Sequence, residues 1–411
     1  MADKMIITGA SGFVGRQIVP ILRAKGFDLL LVGREPKRLE SLFPGIPNCD
    51  YANLAERGSG YDILLHLAVQ NNHRNVSAAA FQAANVDLLL SLSKIAAQIG
   101  VRRFVNLGST HAFAGNVDDA YGASKAEGER LLRETSTVPV TAIIAPAIYG
   151  TSFQGNLKIV ERFPEFLRPL LVKILSLLKP VVSIPRLASI IADEARWYDD
   201  KTRSRIVSDD QQDNPVYLFM SRMIDLGVAV ALLLLLGGVM IGVAIAIRMK
   251  SKGPAIFAQD RVGRDGKVFT CYKFRTMAVG APQRATHEVG EVMVTDIGKF
   301  LRRTKLDELP QLLNLLRNEM SLVGPRPCLP VQRELVERRK AAGVLAIKPG
   351  ITGLAQIQDI DMSNPQRLVE VETQYLALRT LMLDIKIILA TVTGKGQGDR
   401  TAVDVQQKHN G

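Results

Sequence analysis

Two adjacent carboxylates, Asp307 and Glu308, stand behind a run of basic residues and just before Pro310. Proline fits an α-helix only in its first turn, so Pro310 predicts a helix that starts near Leu306. Both acids would then lie at a helix N-terminus, where backbone N–H groups and the helix dipole favour ionised carboxylates and bound phosphate. Neighbouring helical residues point about 100° apart, which indicates different roles for the two acids; the alternative is that both only complement the dipole. The expected apolar stripe of this helix consists of Leu309, Leu312, Leu313 and Leu316.

A second group of candidate residues opens the chain. Gly9, Gly12 and Gly15 lie between a short apolar run and a helical pattern. Glycines at a strand-to-helix turn let the backbone approach a pyrophosphate, which indicates dinucleotide binding. Arg34 follows the next apolar run, where NAD-preferring domains often carry an acid, and it suggests the 2′-phosphate of NADP; a solvated surface arginine is the alternative.

A third group suggests proton transfer. Tyr121 and Lys125 are four residues apart, so a helix would carry both side chains on one face. A lysine beside a phenol lowers the pKa of the phenol. Ser109 could hold a substrate oxygen while Tyr121 transfers the proton.

These residues need a sheet to position them. Apolar runs at 5–8, 29–32, 63–68, 104–107 and 141–144 alternate with helical patterns such as 86–99. The alternation predicts a doubly wound, Rossmann-type parallel sheet.

Composition narrows the class of protein. The three cysteines, Cys49, Cys271 and Cys328, are odd in number and lack metal-ligand spacing, which predicts a reducing compartment without disulfides or zinc. The first residues lack the pattern of an export signal. Of the formal charge of +12, about +9 falls after Tyr217, which suits an anionic membrane surface or phosphorylated substrates. No nucleic-acid recognition motif is present, so nucleic acid is not an expected partner.

Residues 226–247 form an uncharged apolar run long enough for the roughly 20 residues that span a bilayer. Basic residues flank it on both sides, so its orientation is not set by charge. If both flanking domains use cytosolic substrates, a single span would separate them. A re-entrant helix bent near Gly237 and Gly238 is therefore favoured, with an unbent spanning helix as the alternative.

Three further segments carry weaker signals. Residues 163–182 are apolar with interspersed prolines and basic side chains, and predict a buried helix of the first domain or, less favoured, an amphipathic element on a membrane. Residues 375–392 suit a helix at the membrane interface. The polar tail after 394 predicts disorder.

The glycine triplet, His66-Leu67-Ala68, Ser109 and Tyr121 with Lys125 together resemble the extended short-chain dehydrogenase/reductase family of nucleotide-sugar epimerases, dehydratases and reductases, over about residues 4–210. The resemblance implies that Tyr121 is the catalytic acid/base, with Lys125 its partner and Ser109 the third member. Dehydratases of this family carry an Asp-Glu pair just after the serine, which is missing here, so a reductase or an epimerase is expected. A domain that binds cofactor without turnover is the alternative.

Residues 218–395 carry several motifs in order, among them Tyr272-Lys273-Phe274-Arg275, Leu306-Asp307-Glu308-Leu309-Pro310 and Gly324-Pro325-Arg326-Pro327. Together they resemble the bacterial monotopic phosphoglycosyl transferases, which move a sugar phosphate from a UDP-sugar to undecaprenyl phosphate and release UMP. The resemblance implies that Asp307 is the nucleophile and that Glu308 helps bind Mg²⁺. Substrate-binding cations are expected among Lys273, Arg275, Arg302, Arg303 and Arg326.

The whole chain is therefore predicted to be an α/β protein with a doubly wound Rossmann-type domain (1–215), a re-entrant membrane helix (216–252), a small, mostly helical α+β catalytic domain (253–395) and a polar tail (396–411). The predicted function is bifunctional, with reduction of a UDP-4-keto-6-deoxy-N-acetylhexosamine by NAD(P)H followed by sugar-phosphate transfer. The expected location is the cytoplasmic face of a bacterial inner membrane. A homo-oligomer is left open.

Overall fold

The computed structural model describes residues 3–69, 77–110, 120–196, 202–278 and 294–395. The chain forms two compact units, Met1–Asp209 and Asp210–Gly411. The predicted polar tail, 396–411, lies outside the described residues.

The first unit is built on a parallel sheet. Its strands are β1 (Lys4–Thr8), β2 (Asp28–Val32), β3 (Asn48–Cys49), β4 (Ile63–His66), β5 (Arg103–Ser109), β6 (Val140–Ala145), β7 (Ala147–Tyr149), β8 (Val181–Ser183) and β9 (Arg203–Ile206). Within the described ranges, seven strands pair in the order β3-β2-β1-β4-β5-β6-β9, all parallel, and β7 pairs with β8 separately. This order confirms the predicted doubly wound fold, in which ligands bind at the carboxyl ends of the strands where the order reverses.

Helices cover both faces of the sheet. They are α1 (Phe13–Ala24), α2 (Pro36–Leu42), α3 (Leu54–Arg57), α4 (Ala78–Gln82), α5 (Leu88–Gln98), α6 (Ala120–Thr135), α7 (Arg168–Leu175) and α8 (Ile184–Arg196). Alternate residues of β1 enter different cores: Met5 and Ile7 pack in one cluster and Ile6 in another. This alternation follows from the two-residue period of a strand.

Residues 153–181 form a small lobe with its own hydrophobic core. Two 3₁₀ turns, Gly155–Arg162 and Glu165–Leu167, precede α7. A separate cluster of Phe153, Leu157, Val160, Val172 and Val181 fills the inside of the lobe. The preferred prediction of a buried helix here is wrong, because Phe166 remains 79% exposed. The lobe's interior is already occupied, so the other apolar side chains stay outside.

The second unit begins with one long helix, α9 (Pro215–Lys250). Among the described residues it is the helix that is long and apolar enough to cross a membrane, judged by length and composition. It continues through Gly237 and Gly238 without a break, because glycine, unlike proline, keeps the N–H that the helix needs. The re-entrant course of α9 and its bend stay predictions.

Both ends of α9 pack against other elements of the second unit. Near its start, the Arg222 guanidinium donates to the carbonyl oxygens of Leu315 (2.6 Å) and Leu316 (3.0 Å). Near its end, Ile247 is buried in a cluster with Phe274. The opposite face of α9 stays apolar and exposed, as at Leu234 (82%) and Leu235 (75%).

The remaining elements of the second unit are short. They are β10 (Ile256–Val262), β11 (Val268–Phe274), α10 (Asp296–Thr304), α11 (Leu312–Leu316), β12 (Ser321–Val323), α12 (Arg333–Ala341), β13 (Gly350–Thr352), α13 (Leu354–Ile357), α14 (Pro365–Leu378) and α15 (Leu381–Val392). The hairpin β10–β11 is antiparallel and β12 pairs with β13 in parallel. The single helix predicted at 375–392 is wrong, because Thr380 starts a new helix by accepting a hydrogen bond from the Leu383 N–H.

A buried carboxylate ties α9 to the last two helices. Asp384 accepts hydrogen bonds from the hydroxyls of Tyr217 (2.6 Å) and Tyr375 (2.7 Å). Burial raises the pKa of Asp384 to about 6, against the opposing effect of the two tyrosine hydrogen bonds and of Arg379. Helices α9, α14 and α15 therefore pack around the buried Asp384 carboxylate, whose hydrogen bonds to the two tyrosines keep it from being buried without a partner.

Replacing Tyr375 with Phe should destabilise this junction. The variant removes a donor from a buried carboxylate, which costs about 1.5–3 kcal/mol, and should lower Tm by about 3–10 °C for a unit of this size. Tyr272→Phe is the matched control, because the Tyr272 hydroxyl accepts an exposed hydrogen bond from Arg317 and contacts no buried carboxylate in the described part of the chain. Thermal unfolding of the full chain in detergent measures both, and equal shifts would contradict the prediction.

Candidate functional site

The acid pair lies in a 3₁₀ helix, Leu306–Gln311, and not in the α-helix predicted to start at Leu306. Helix α10 ends at Lys305, which adopts a left-handed backbone with φ of 56°, and α11 has only five residues. The tighter turn shifts the apolar stripe, so Leu315 is buried while Leu313, which was predicted to be inside, is 43% exposed. A helix dipole is therefore a weak influence on these acids.

Glu308 is the centre of an ionic cluster. Its Oε1 accepts from the Lys273 ammonium at 2.8 Å and from the Arg326 guanidinium at 3.1 Å. All three side chains are only partly accessible to solvent, at about a fifth to a quarter of their surface. The cluster brings together β11, the 3₁₀ helix and the loop after β12.

Asp307 has a different environment from its neighbour. Within the described ranges, its carboxylate has no hydrogen-bond or ion-pair partner. Burial raises the pKa of Asp307 to about 6, and the charge of Glu308 adds to the rise, while Lys273, Arg302 and Arg326 oppose it. The sequence-based expectation of a carboxylate favoured in its ionised form is thus wrong in direction, because desolvation outweighs the helix terminus.

The other predicted cations are placed differently. Arg302 donates from Nε to the Thr276 hydroxyl at 3.1 Å, and its charge lowers the pKa of Asp307. Arg303 is exposed. Arg275 is buried and donates to the backbone carbonyls of Ser251 and Lys252, each at 3.0 Å. Its observed contacts hold the turn after α9, away from Glu308.

Asn314 is a positioning residue that the sequence analysis missed. It is fully buried, and its Oδ1 accepts from the Tyr272 N–H at 3.2 Å while its amide donates to the Thr270 carbonyl at 2.8 Å. These bonds hold β11, and with it Lys273, against the helix that follows the acids. An amide inside an apolar leucine run was the signal that could have revealed it.

Close backbone packing fixes the loop that carries Arg326. A Cβ added at Gly324 would lie 2.5 Å from the Lys348 carbonyl oxygen, and one at Gly350 would lie 2.1 Å from the Gly324 nitrogen. Only glycine lets β12 and β13 come this close. The Gly-Pro-Arg-Pro motif therefore starts from a rigid pair of strands.

The glycine turn of the first unit has the geometry of a dinucleotide site. Gly9 has φ of +76°, and an added Cβ would lie 2.5 Å from the Ala68 nitrogen. A Cβ at Gly15 would lie 2.5 Å from the Gly9 carbonyl oxygen. Gly12 precedes α1 and offers no side-chain cap, so the N-terminus of a twelve-residue helix is open to a phosphate. Arg34 is exposed two residues after β2.

The proton-transfer residues lie around the carboxyl ends of the strands. Ser109 is the last residue of β5, and Tyr121 and Lys125 lie on α6. Burial lowers the pKa of Lys125 to about 8, against the opposing charge of Glu129. The Asn85 amide donates a hydrogen bond to the Ser124 hydroxyl at 3.0 Å. This bond anchors α6 at a position between Tyr121 and Lys125.

His66, at the end of β4, is buried beside this group. Its Nδ1 lies 2.8 Å from the Thr8 hydroxyl. Burial, with a smaller contribution from Lys125, lowers the pKa of His66 to about 3, so the ring is neutral at physiological pH.

Residues 216–396 match the family described as bacterial sugar transferase. The uncharacterized sugar transferase EpsL of Bacillus subtilis is 37% identical over 179 residues, which cover 43% of this chain and 86% of that protein. The chain belongs to the bacterial sugar transferase family. It is also 37% identical over 182 residues to the UDP-glucose:undecaprenyl-phosphate glucose-1-phosphate transferase of Escherichia coli, covering 42% of this chain. It spans only 39% of that protein's length.

Residues 5–179 match a second family, described as NAD dependent epimerase/dehydratase. Both predicted resemblances are thereby confirmed. The Bordetella bronchiseptica enzyme WbmG, solved in complex with NAD, aligns at 19% identity over 51% of this chain and 73% of that chain, with a TM-score of 0.41. This partial overlap carries no argument about activity.

Gly9→Ala should abolish cofactor binding as well as lower stability. The new methyl group would meet the backbone of Ala68, and the left-handed φ adds strain of about 1–2 kcal/mol. Gly26→Ala is the matched control, because Gly26 has φ of +87° but open space around it. Thermal unfolding and calorimetric titration with NAD and NADP measure the two effects. Retained cofactor binding in Gly9→Ala would refute the assignment of this turn.

Proposed function

We propose that the second unit transfers a sugar phosphate from a UDP-sugar to undecaprenyl phosphate with release of UMP. The observation that carries the proposal is that a partly buried Asp307, without a hydrogen-bond or ion-pair partner among the described residues, stands next to a Glu308 that holds Lys273 and Arg326. The name of the Escherichia coli relative supplies the substrate class. One acid is left unbound for attack, and the other organises cations for a diphosphate.

In the first step, a carboxylate oxygen of Asp307 attacks the phosphorus that carries the sugar. A bond forms between Asp307 and that phosphorus, and the bond to the bridging diphosphate oxygen breaks, so UMP leaves with the electron pair. In the second step, a phosphate oxygen of the lipid attacks the same phosphorus. The aspartate is released as a carboxylate, and the product is a lipid diphosphate sugar.

The cations supply the electrostatic part of this mechanism. Lys273, Arg302 and Arg326 all act electrostatically on Asp307, so they would oppose the negative charge that develops on a diphosphate attacked there. The Glu308 carboxylate plus substrate phosphates would form a donor set that suits Mg²⁺, which takes few protein ligands and keeps several waters. Among the described residues there is no cluster of three or more metal-binding side chains, so most ligands would come from the substrate and water. When bound, Mg²⁺ would neutralise diphosphate charge, with Glu308 as its protein ligand.

The acceptor would reach this site from a membrane. The exposed face of α9 is a continuous apolar surface, and both of its ends contact the transferase unit. These contacts support a helix that enters and leaves on the cytoplasmic face of a bacterial inner membrane, beside cytosolic UDP-sugar. A spanning helix would carry one end away from the unit that holds it.

For the first unit we propose NAD(P)-dependent chemistry on a nucleotide sugar. Gly9, Gly12 and Gly15 would hold the cofactor, with Arg34 suited to the extra phosphate of NADP. Tyr121 would give a proton to the oxygen at C4 of a UDP-4-keto-6-deoxy-N-acetylhexosamine while the cofactor supplies hydride. The lowered pKa of Lys125, to about 8, supports a lysine within a desolvated proton-transfer site. An epimerase using the same residues is the second candidate.

Asp307→Asn should remove the transferase activity. The amide cannot act as a nucleophile toward phosphorus, so UMP release from UDP-sugar and lipid phosphate should fall by at least about a thousandfold. Asp296→Asn, an exposed acid on α10, is the matched control and should keep its activity. Mass spectrometry of the trapped aspartyl phosphosugar gives a direct readout. Persistent activity in Asp307→Asn would overturn the nucleophile assignment.

The pH profile tests the same residue independently. Because the pKa of Asp307 is raised to about 6, the protonated, inactive form prevails below that pH, and the rate should rise as pH increases through about 6. Lys273 lowers this pKa, so Lys273→Met should move the acidic limb to higher pH. A limb that stays in place would point to the lipid phosphate instead, whose own second pKa is about 6.

Tyr121→Phe separates the candidate activities of the first unit. With UDP-4-keto sugar and NADPH, the unsubstituted chain should oxidise cofactor, and the variant should lose that rate by at least about a hundredfold. Tyr61→Phe, on the same unit, is the control. Interconversion of C4 isomers without net cofactor consumption would establish an epimerase. Unchanged lipid-linked product in Tyr121→Phe would show that the first unit is a binding module.

A further inference from the structure

The first unit carries one concentrated apolar surface. Among its described residues, eight large apolar side chains are exposed, and six of them lie between 159 and 178. They are Ile159 (50%), Phe163 (41%), Phe166 (79%), Leu170 (47%), Ile174 (42%) and Leu178 (54%). The other two, Leu42 and Val69, are each 36% exposed and lie elsewhere in the sequence. We name the group of six the lobe surface.

These side chains are outside because the lobe already has a core. Val172 on α7 points inward and is 5% exposed, in contact with the cluster around Phe153 and Leu157. Leu170 and Ile174 are four residues apart, so they share the other face of α7, and Lys173 lies between them in the chain. The interior of the lobe is already filled with apolar side chains. A second set of apolar side chains therefore remains on its outer surface, exposed to solvent.

Charge on the same lobe identifies the partner. Residues 158–179 contain five basic and two acidic side chains, a net charge of +3, which equals the net charge of the whole chain up to residue 217. Of the two acids, Glu161 is engaged by the Phe153 N–H at 2.8 Å and Glu165 pairs with Arg168 at 3.4 Å. Lys158, Arg162 and Lys179 are exposed. Basic and bulky apolar side chains together are the pattern of elements that insert into anionic lipid interfaces.

We infer that the lobe surface docks on an anionic lipid bilayer, which gives the first unit a membrane contact of its own beside that of α9. The six apolar side chains enter the boundary between headgroups and acyl chains, and the basic residues meet lipid phosphates. The inference rests on the chemistry of the lobe and is independent of either proposed activity. A second copy is a poorer partner, because a symmetric interface would place the same basic residues opposite one another.

Depth-dependent fluorescence on the full chain tests this inference. An environment-sensitive label is attached at Phe166→Cys, with Leu42→Cys as the matched apolar control and Leu235→Cys reporting on α9. The three native cysteines are buried, and the unsubstituted chain measures their background labelling. The probes are vesicles of phosphatidylcholine with or without phosphatidylglycerol, each carrying a nitroxide-labelled lipid. Quenching in the anionic vesicles should be at least roughly threefold stronger at position 166 than at position 42.

Charge-reversal variants and high salt test the electrostatic part of the inference. Arg162→Glu with Lys179→Glu should remove most of the quenching at position 166, and high salt should weaken it. Lys37→Glu with Arg38→Glu, an equal change of charge on exposed residues elsewhere in the first unit, should leave it unchanged.

Three outcomes would overturn the inference. They are equal quenching at positions 166 and 42, quenching insensitive to phosphatidylglycerol and to the charge reversal, and shielding of position 166 in detergent that grows with protein concentration, which would indicate a second copy. Quenching at 235 without quenching at 166 would overturn this inference alone. Quenching at 166 without quenching at 235 would uphold it and overturn the membrane assignment of α9.

Discussion

The candidate site of the transferase unit depends on one carboxylate oxygen, Oε1 of Glu308, which accepts hydrogen bonds from two cationic side chains. Lys273 comes from a strand and Arg326 from a loop between prolines, so the carboxylate joins segments that are distant in sequence. Removing either cation would leave two neighbouring, partly buried acids with one counter-charge fewer, which is costly in a desolvated site. In the described part of the chain, Asp307 therefore lacks a direct partner, while nearby cations still compensate the local negative charge.

Helix α9 combines two surfaces that usually belong to different proteins. On one side Asp225 accepts hydrogen bonds from the Ser321 hydroxyl and the Leu322 N–H, as in the interior of a soluble domain. On the other side large apolar residues are exposed, as expected for contact with lipid. Polar anchors fix the helix to its unit, and the apolar face is free to insert. This division would let the proposed site meet a lipid phosphate at the membrane surface without a channel through the bilayer.

The first unit would add the proposed cofactor-dependent step and a membrane-binding surface to the transferase unit. Its glycine turn and desolvated Lys125 fit a cofactor-dependent step on a nucleotide sugar, the class of compound named in the description of the Escherichia coli relative. If both proposed steps occur, joining them in one chain would raise the effective concentration of the intermediate. The lobe surface would restrict the first unit to the plane of the membrane, which raises that concentration further by reducing the volume that the unit can explore.

The sequence by itself determined the parts that depend on local chemistry. Alternating apolar runs set the parallel strands, glycines set the turn before α1, and the long uncharged run set α9, because periodicity and backbone freedom are properties of neighbouring residues. Only the tertiary structure decided that Leu315 is buried instead of Leu313, that Arg275 holds a turn, and that the residues around Phe166 stay exposed. It also showed that burial raises the pKa of Asp307, whereas the sequence predicted that the ionised carboxylate is favoured. Burial and electrostatic fields come from segments far apart in the chain, as Lys273 and Glu308 are, and no local pattern records which of them will meet.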